Sequence, residues 1–346
     1  MKYYAGLDVS LKEISVCVVD GDGTAIERGA CPADPESVAG WFRNRQITPC
    51  RIVHESGQLS IWLQRGLTGL GLPATCIDAR KAHNALSARL NKSDATDAEG
   101  LAQLARTGWY TSVHIRSEDA DRLRSLTGAR ERLIRLRKDL EGHIRGVLKT
   151  FGIRMTGIGQ GRQRQAFRDQ LTMAGESDPV LRSIADGFIA AHVTLCQAAD
   201  DLDKAVKKKA KAHPVARRLM TIPGVGPVNA LSFIALIDDP YRFSRTSNVG
   251  AFLGLTPKRH QSGEVDWSGR VSKCGDGAMR GLLFEAASCV IRQVKRFSPL
   301  KSWAVRLAGR RGFRKAAVAT ARKIAVMMLT LWKNETDYQW TKEAAT

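Results

Sequence analysis

The sequence predicts an α/β unit followed by a mainly helical remainder. Three features of the 346 residues carry that prediction. Short apolar, β-branched runs alternate with helical patterns over residues 1–112. Leucines recur at heptad spacing over 113–212. The last part, 213–346, holds a long helical stretch without a single acid. These three segments are the expected domains.

In the first segment, Tyr3 to Val9 reads as a strand, and Ile14 to Val19 (ISVCVV) as a second. DGDG at 20–23 is a turn signal, and Thr24 to Arg28 a third strand, giving an antiparallel meander. Pro35 to Asn44 suits a helix. Arg51 to His54 is a fourth strand, ending at Glu55-Ser56-Gly57. Ile61 to Gly69 reads as a helix, Pro73 to Asp78 as a fifth strand, and Arg80 to Leu90 as a helix. The stretch NKSDATDAEG (91–100) opens a last helix, Ala95 to Thr107, stopped by Gly108.

The order βββαβαβα is the layout of the ribonuclease-H-like fold, where strands one and four are neighbours. Asp8 lies near the end of strand one and Glu55 at the end of strand four. Asp94 and Asp97, three apart, share one face of the last helix. Two carboxylates on one face repel unless a positive charge lies between them. Oxygen-only ligands of this kind suit Mg²⁺ or Mn²⁺, and such ions stabilise attacking and leaving oxygens in phosphoryl transfer. The plainer readings are a strand-end turn for Asp8 and a helix cap for Asp94. Four acids at the expected element ends favour the metal site.

Composition bounds the partners. Fifty-four Lys and Arg against 34 Asp and Glu give a net charge of +20 and a pI near 10.0. That excess points to a polyanion, nucleic acid first. The seven cysteines are scattered without CxxC spacing, which argues against a zinc ribbon or a disulfide framework and for reduced thiols. MKYYAGLDVS does not read as a signal peptide. The apolar run Ile324 to Trp332 is too short to span a bilayer. The expectation is a soluble, cytoplasmic protein without membrane contact.

In the middle segment, Leu126, Leu133, Leu140 and Val147 repeat every seven residues, as do Leu181, Phe188, Leu195 and Leu202. Ala191, Ala198 and Ala205 are interleaved. The pattern predicts an antiparallel hairpin or coiled coil, either joining subunits or packing on its own domain. The connection over 153–168 is rich in Gly and Arg; no strand precedes it, so it is no dinucleotide site.

In the last segment, Ile222-Pro223-Gly224-Val225-Gly226-Pro227 opens a helix in a helix-hairpin-helix pattern, whose turn would present N–H groups at Gly224 and Gly226 to a phosphate. A plain helix–helix turn is the alternative. GLTPKRHQSGEVDWSGRVSKCGDGAMRGLL (254–283) has few apolar residues and reads as a functional loop. Ser262 follows Lys258, Arg259 and His260. A serine among cations could attack a phosphodiester; Ser268 and Ser272 compete for that role, and polar-loop serines are commonly turn residues. Arg270, Lys273 and Arg280 add charge. From Ala286 to Asn334 there are twelve Lys or Arg and no acid, with Arg310, Arg311, Arg314 and Lys315 clustered, which reads as a nucleic-acid-binding helical region.

Together, GLDVS, HESG, NKSDATDA, IPGVG, RHQSGEV and GRVSKCGDGAMRGLL resemble the DEDD-type insertion-sequence transposases, kin of the Piv invertases and known as bridge-RNA-guided recombinases. The resemblance spans nearly the whole chain. It implies a RuvC-like N-terminal domain with Asp8, Glu55, Asp94 and Asp97 as the metal-binding tetrad, Mg²⁺ or Mn²⁺ as cofactor, and a C-terminal transposase domain with Ser262 as nucleophile. It further implies DNA at element ends and target as substrate, a structured guide RNA, and a dimer or tetramer joined through the helical arm. The competing expectation is a RuvC-like metal-dependent nuclease, such as a junction resolvase, in which water attacks and Ser262 is dispensable.

Overall fold

The strand β1 (Tyr3–Val9) alternates between two buried faces, which a sheet covered on both sides requires. The computed structural model describes residues 1–86, 94–155, 159, 161–176, 178–263 and 265–340, without the side chains of Asp94, Ala95, His260 and Val265. The expected helix end at 87–90, the cap region 91–93, parts of the Gly-rich connection (156–158 and 160) and Glu264 lie outside the described residues. The chain divides into two units, Met1–Ser117 and Glu118–Thr346.

In the first unit, β1 pairs antiparallel with β2 (Glu13–Val19), which pairs antiparallel with β3 (Ala25–Pro32). On its other edge β1 runs parallel to β4 (Pro49–Glu55), and β4 parallel to β5 (Ala74–Ile77). The order β3-β2-β1-β4-β5 is that of the ribonuclease-H and RuvC fold, as the sequence predicts. The third strand runs on to Pro32, past the expected Arg28, because its outer residues need no core to pair with β2.

Helices cover both faces. Helix α1 (Pro35–Asn44) starts where the Asp34 carboxylate accepts from the Ser37 N–H at 2.7 Å, with Pro35 preset for the first turn. With α2 (Ser60–Gly69) it packs Trp41, Phe42, Leu63 and Leu67 against Ala5, Leu7 and Ile52. The opposite face receives α3 (Ala79–Leu86) and α4 (Asp94–Thr107). In α4, Ala98, Leu101, Ala102 and Ala105 form the buried stripe at helical spacing.

In the second unit, α5 (Glu118–Lys149) and α7 (Pro179–Ala212) are antiparallel, as their cross-links show: Glu141 meets His192 at 3.1 Å and Arg130 meets Asp203 at 2.7 Å. The helical middle is therefore as expected, but its buried stripe is not. Ala191 and Ala205 are exposed, and α7 buries Leu181, Ala185, His192, Cys196, Ala199, Val206 and Ala210. The seam is partly ionic: Arg137 (Nε to Glu141 Oε1, 3.3 Å) joins Glu141 and His192. The Gly-rich connection leads into a further helix, α6 (Arg162–Ala174), which sequence periodicity missed. It packs Phe167 and Leu171 against Ile144, Leu148 and Ala185, and ties Arg164 to Asp200 at 2.7 Å.

The larger core gathers α8 (Pro214–Leu219), α9 (Pro227–Ile237), a short α10 (Asn248–Phe252), α11 (Gly277–Arg292) and α12 (Pro299–Arg311) around α13 (Phe313–Asn334). One face of α13, from Ala316 to Leu329, is wholly buried. The acid-free segment is thus half core; only its outer face carries cations. Among the described residues, no helix is long and apolar enough to cross a membrane.

The stretch 254–283 departs from the loop expectation. Pro257–Ser262 is strand β6, Val265–Val271 is strand β7, and the two form a hairpin before α11 begins. Ser262 pairs with Val265 across a two-residue loop whose first residue, Gly263, has φ +56°. A glycine in that place is the signature of a primed hairpin turn.

Candidate active site

The acidic corner begins with a register. Leu7 pairs with His54 in the parallel ladder, so the next residues, Asp8 and Glu55, stand side by side at the ends of β1 and β4. Side chains alternate along a strand. Leu7 belongs to the α1/α2 face, so Asp8 and Glu55 belong to the other, where Val53 and Ile77 pack on α4. Both acids are half-buried.

Gly6 brings α4 to that face. A Cβ on Gly6 would lie 2.1 Å from the Ala98 carbonyl oxygen and 2.3 Å from the Ala102 nitrogen, so only glycine lets the helix backbone sit on β1. Three polar contacts hold the helix there. Glu99 pairs with Arg28 at 2.6 Å, Gln103 donates to the Gly23 carbonyl at 2.6 Å, and Arg51 donates to the Ala105 carbonyl at 2.8 Å. Asp97, half-buried, precedes Ala98 and stands one turn before Leu101, on the border of the buried stripe. Asp94 opens α4 one turn before Ala98; its side chain lies outside the described residues.

Asp8, Glu55 and Asp97 therefore share one face and one end of the sheet. Their donor set, carboxylate oxygen only, is the one hard divalent cations prefer. Among the described residues, no three His, Cys, Asp or Glu side chains are close enough together to hold an ion.

His54 is a supporting residue that sequence reading did not single out. It is fully buried on the α2 side of β4. Its Nε2 meets Gln64 Oε1 at 2.9 Å, and its Nδ1 lies 3.2 Å from the Glu55 carbonyl oxygen. Gln64 in turn donates to the Ala74 carbonyl at 2.7 Å. Burial pushes the imidazole pKa below its ordinary value, outweighing the Gln64 and Glu55 contacts that pull it up. A neutral ring carries one N–H, so it donates to either Gln64 Oε1 or the Glu55 carbonyl and only packs against the other. The available signal was a histidine inside an apolar strand, which needs a buried partner.

Ser262 belongs to the second unit. It is exposed at the tip of the β6–β7 hairpin. Register divides the ribbon into two faces. Lys258, Ser262 and Trp267 lie on one. Arg259 and Asp266 lie on the other, joined by two hydrogen bonds of 2.9 and 2.6 Å. That bond pair holds Asp266 ionised below its usual range and raises Arg259. Arg270, within β7, and Lys273, two residues after it, are exposed.

The other cations and glycines divide. Arg280 is occupied: one guanidinium nitrogen donates to the carbonyls of Cys274, Gly275 and Leu253 at 2.7, 3.1 and 3.3 Å, closing the loop before α11. Gly224 (φ +81°) faces α11, where a Cβ would meet the Ala286 carbonyl at 2.4 Å; packing alone accounts for that glycine. Nothing lies within 4 Å of a Cβ built on Gly226. Arg310, Arg311, Arg314 and Lys315 are exposed around the α12–α13 junction.

Comparison with known proteins finds the following similarities. The family described as "Transposase IS116/IS110/IS902 family" matches residues 216–301, and the DEDD-type IS110 transposase family, described as "Transposase", matches residues 5–153. The transposase for insertion sequence element IS1111A of Coxiella burnetii is 28% identical over 339 residues, 96% of this chain and 90% of that protein. A probable family 20 transposase of Pseudomonas aeruginosa is 28% identical, covering 85% of this chain and 87% of its own. Among solved structures, T. thermophilus RuvC in complex with a Holliday junction substrate matches at 14% identity and a TM-score of 0.25, over 33% of this chain and 100% of that one. With a family match on each unit and relatives aligned over most of their length, the chain is similar to the IS116/IS110/IS902 transposases across both units, which supports an enzyme that cleaves and rejoins DNA.

Proposed function

We propose that the chain transposes its insertion sequence through Ser262 as nucleophile, assisted by a Mg²⁺ or Mn²⁺ site on Asp8, Glu55, Asp94 and Asp97, and guided by a structured RNA in a homo-oligomer. The observation that carries the reading is the corner where Asp8 and Glu55 end adjacent parallel strands and α4, seated on Gly6, brings Asp97 to the same face. The exposed serine on a cation-bearing ribbon supports the second half.

The chemistry balances without an energy cofactor. The Ser262 Oγ–phosphorus bond forms as one phosphorus–oxygen bond to deoxyribose breaks. The serine proton leaves to a base, and the departing sugar oxygen takes one up. A hydroxyl of the exchanged strand then attacks the phosphoserine, restoring both the phosphodiester and the serine. Lys258, on the same face, would offset the charge that develops on the phosphate. A divalent cation, if held by the carboxylates, would supply positive charge to a phosphate. Asp8, Glu55, Asp94 and Asp97 together would hold it, and the buried His54 packs behind the strand end that carries Glu55. The exposed cations around Gly312 and the net charge of +20 suit a long polyanion, which is the support for the guide RNA.

A denaturing gel of protein incubated with element-end DNA and Mg²⁺ tests the nucleophile. A covalent protein–DNA adduct that Ser262→Ala abolishes is the expected result. Cleavage without any adduct, unchanged by Ser262→Ala, would make the chain a RuvC-like nuclease using water. RNA guidance is tested by leaving out transcripts of the non-coding stretch flanking the gene; strand exchange by protein and DNA alone refutes it.

A further inference from the structure

Between Ala286 and Asn334 the chain carries cations and no acid. Cations take up most of the aromatic rings there. The Arg292 guanidinium lies 3.8 Å from the centroid of Phe313, and the Lys323 ammonium 4.5 Å from that of Trp303. Arg296 lies 4.6 Å from the Trp340 ring, in the C-terminal segment where the Tyr338 N–H donates to Thr221 Oγ1 at 2.9 Å. Phe297 is different. It is 67% exposed, and among the described residues its ring meets no other ring and no cation.

Its place in the chain explains the exposure. Ser298 is the buried N-cap of α12, and its hydroxyl accepts from the Lys301 N–H at 3.2 Å. An apolar residue just before an N-cap ordinarily packs on the fourth residue of the helix. Here that residue is Ser302, which offers no apolar surface, so the ring is left in solvent. The loop that carries it is nonetheless held at both ends. The N–H groups of Gln293 and Val294 donate to the Cys289 carbonyl at 2.8 and 3.0 Å, and Lys301 Nζ donates to the Val294 carbonyl. A ring on a pinned loop has little freedom left to lose on binding. Beside it, Arg296 is exposed, and Lys295 is exposed and enters no ion pair among the described residues.

We propose that the loop over 295–297 is a stacking site for an unpaired base of the structured RNA, with Phe297 as the platform and Lys295 and Arg296 against the neighbouring phosphates. This deepens the reading of a guide RNA and rests on it. Patch size decides against a protein partner. A standard interface covers about 800 Å² on each partner, whereas one aromatic side chain buries about 200 Å², and the charges around this one have a single sign. A base matches both the area and the charge, since it offers one flat face and brings a phosphate with it. The DNA substrates are paired along most of their length and hide their base faces. A structured RNA keeps loops whose bases are splayed out and open to aromatic side chains.

The test uses the full-length chain and two synthetic RNAs of equal length, a hairpin with a mixed-sequence loop and a blunt duplex. Phe297→Ala is expected to weaken hairpin binding about tenfold and to leave duplex binding within about twofold. Phe297→Tyr keeps the ring and should hold hairpin affinity within about threefold of the wild type, whereas Phe297→Leu, apolar without a flat ring, should follow alanine. Tyrosine and leucine both fill the site, so their comparison holds even where alanine disturbs the loop. Lys295→Gln should lower the salt slope of hairpin binding by about 0.7; an unchanged slope overturns the part given to Lys295. Equal hairpin affinity in the wild type, Phe297→Ala and Phe297→Leu overturns the stacking site and leaves the guide-RNA reading standing. So does an alanine loss of the same size on hairpin and duplex. A DNA hairpin of the same sequence is the third probe, and a Phe297→Ala loss as large on DNA as on RNA overturns the assignment to RNA. Wild-type protein that binds the DNA hairpin and neither RNA overturns the guide-RNA reading, and the stacking site with it.

Discussion

Replacing Gly6 by alanine probes the geometry on which the acidic corner depends. The added methyl would sit 2.1 Å from the Ala98 carbonyl oxygen, and ordinary contact begins at 3.4 Å. Helix α4 must therefore withdraw by about 1.3 Å at that point, the difference of the two distances. The obstacle is helix backbone, so no side-chain rotation relieves it. Overpacking of this kind costs about 1–3 kcal/mol. The first unit has 117 residues. At about 2.1 cal/mol/K per residue its unfolding entropy is roughly 0.25 kcal/mol/K, so each kcal/mol lowers the midpoint by about 4 °C. The expected fall is then roughly 4–12 °C in a thermal melt. Asp97 moves with the helix, away from Asp8 and Glu55, and a displacement of about 1 Å in catalytic geometry costs on the order of 100-fold in rate. The matched control is Gly21→Ala, in a turn where an added Cβ meets nothing within 4 Å. If Gly6→Ala melts within a degree of the wild type and cleaves DNA within twofold of it, α4 does not rest on β1 as described, and Asp97 does not belong to the corner.

Three further outcomes follow from other packed sites. Burial holds the pKa of His54 and His192 below the ordinary 6.5; the unfolded chain then binds protons first, so stability is full above about pH 6.5 and drains as pH falls below it. A melting series from pH 7.5 to 5 should show that loss, with less of it in His54→Gln; a midpoint flat across the range contradicts a buried neutral ring. Glu141→Ala leaves His192 and Arg137 in the α5–α7 seam without their shared carboxylate and should cost about 3 kcal/mol in urea unfolding of the second unit, where a change under 0.5 kcal/mol would mean that water already serves both. Gly224→Ala combines a positive φ with a contact of 2.4 Å to α11 and should lower stability by about 2 kcal/mol or more; a selective loss of DNA affinity with an unchanged melt would instead make that turn a phosphate seat.

The sequence by itself determined the elements of the first unit, because each strand and helix there has a covered face and prints its period on the chain. Tyr3 to Val9 and Pro35 to Asn44 were legible to the residue. The positions of Asp8 and Glu55 at the ends of β1 and β4 were legible too, since the apolar runs that carry them end there. The charge of +20 limited the partners before any fold was known. Tertiary structure decided the rest, wherever the deciding partner is distant in sequence. The β6–β7 ribbon has no apolar alternation, because neither face is covered; backbone pairing and the Gly263 turn make it. Helix α7 buries His192 and leaves Ala191 exposed, because Glu141, fifty-one residues away, supplies the partner that makes burial of a polar ring tolerable. Gly6, Gly224 and Arg280 look like any small or charged residue until the helix, or the carbonyls they meet, are in place. Local periodicity is a property of adjacent residues; close approach and charge neutralisation belong to pairs that only the folded chain brings together.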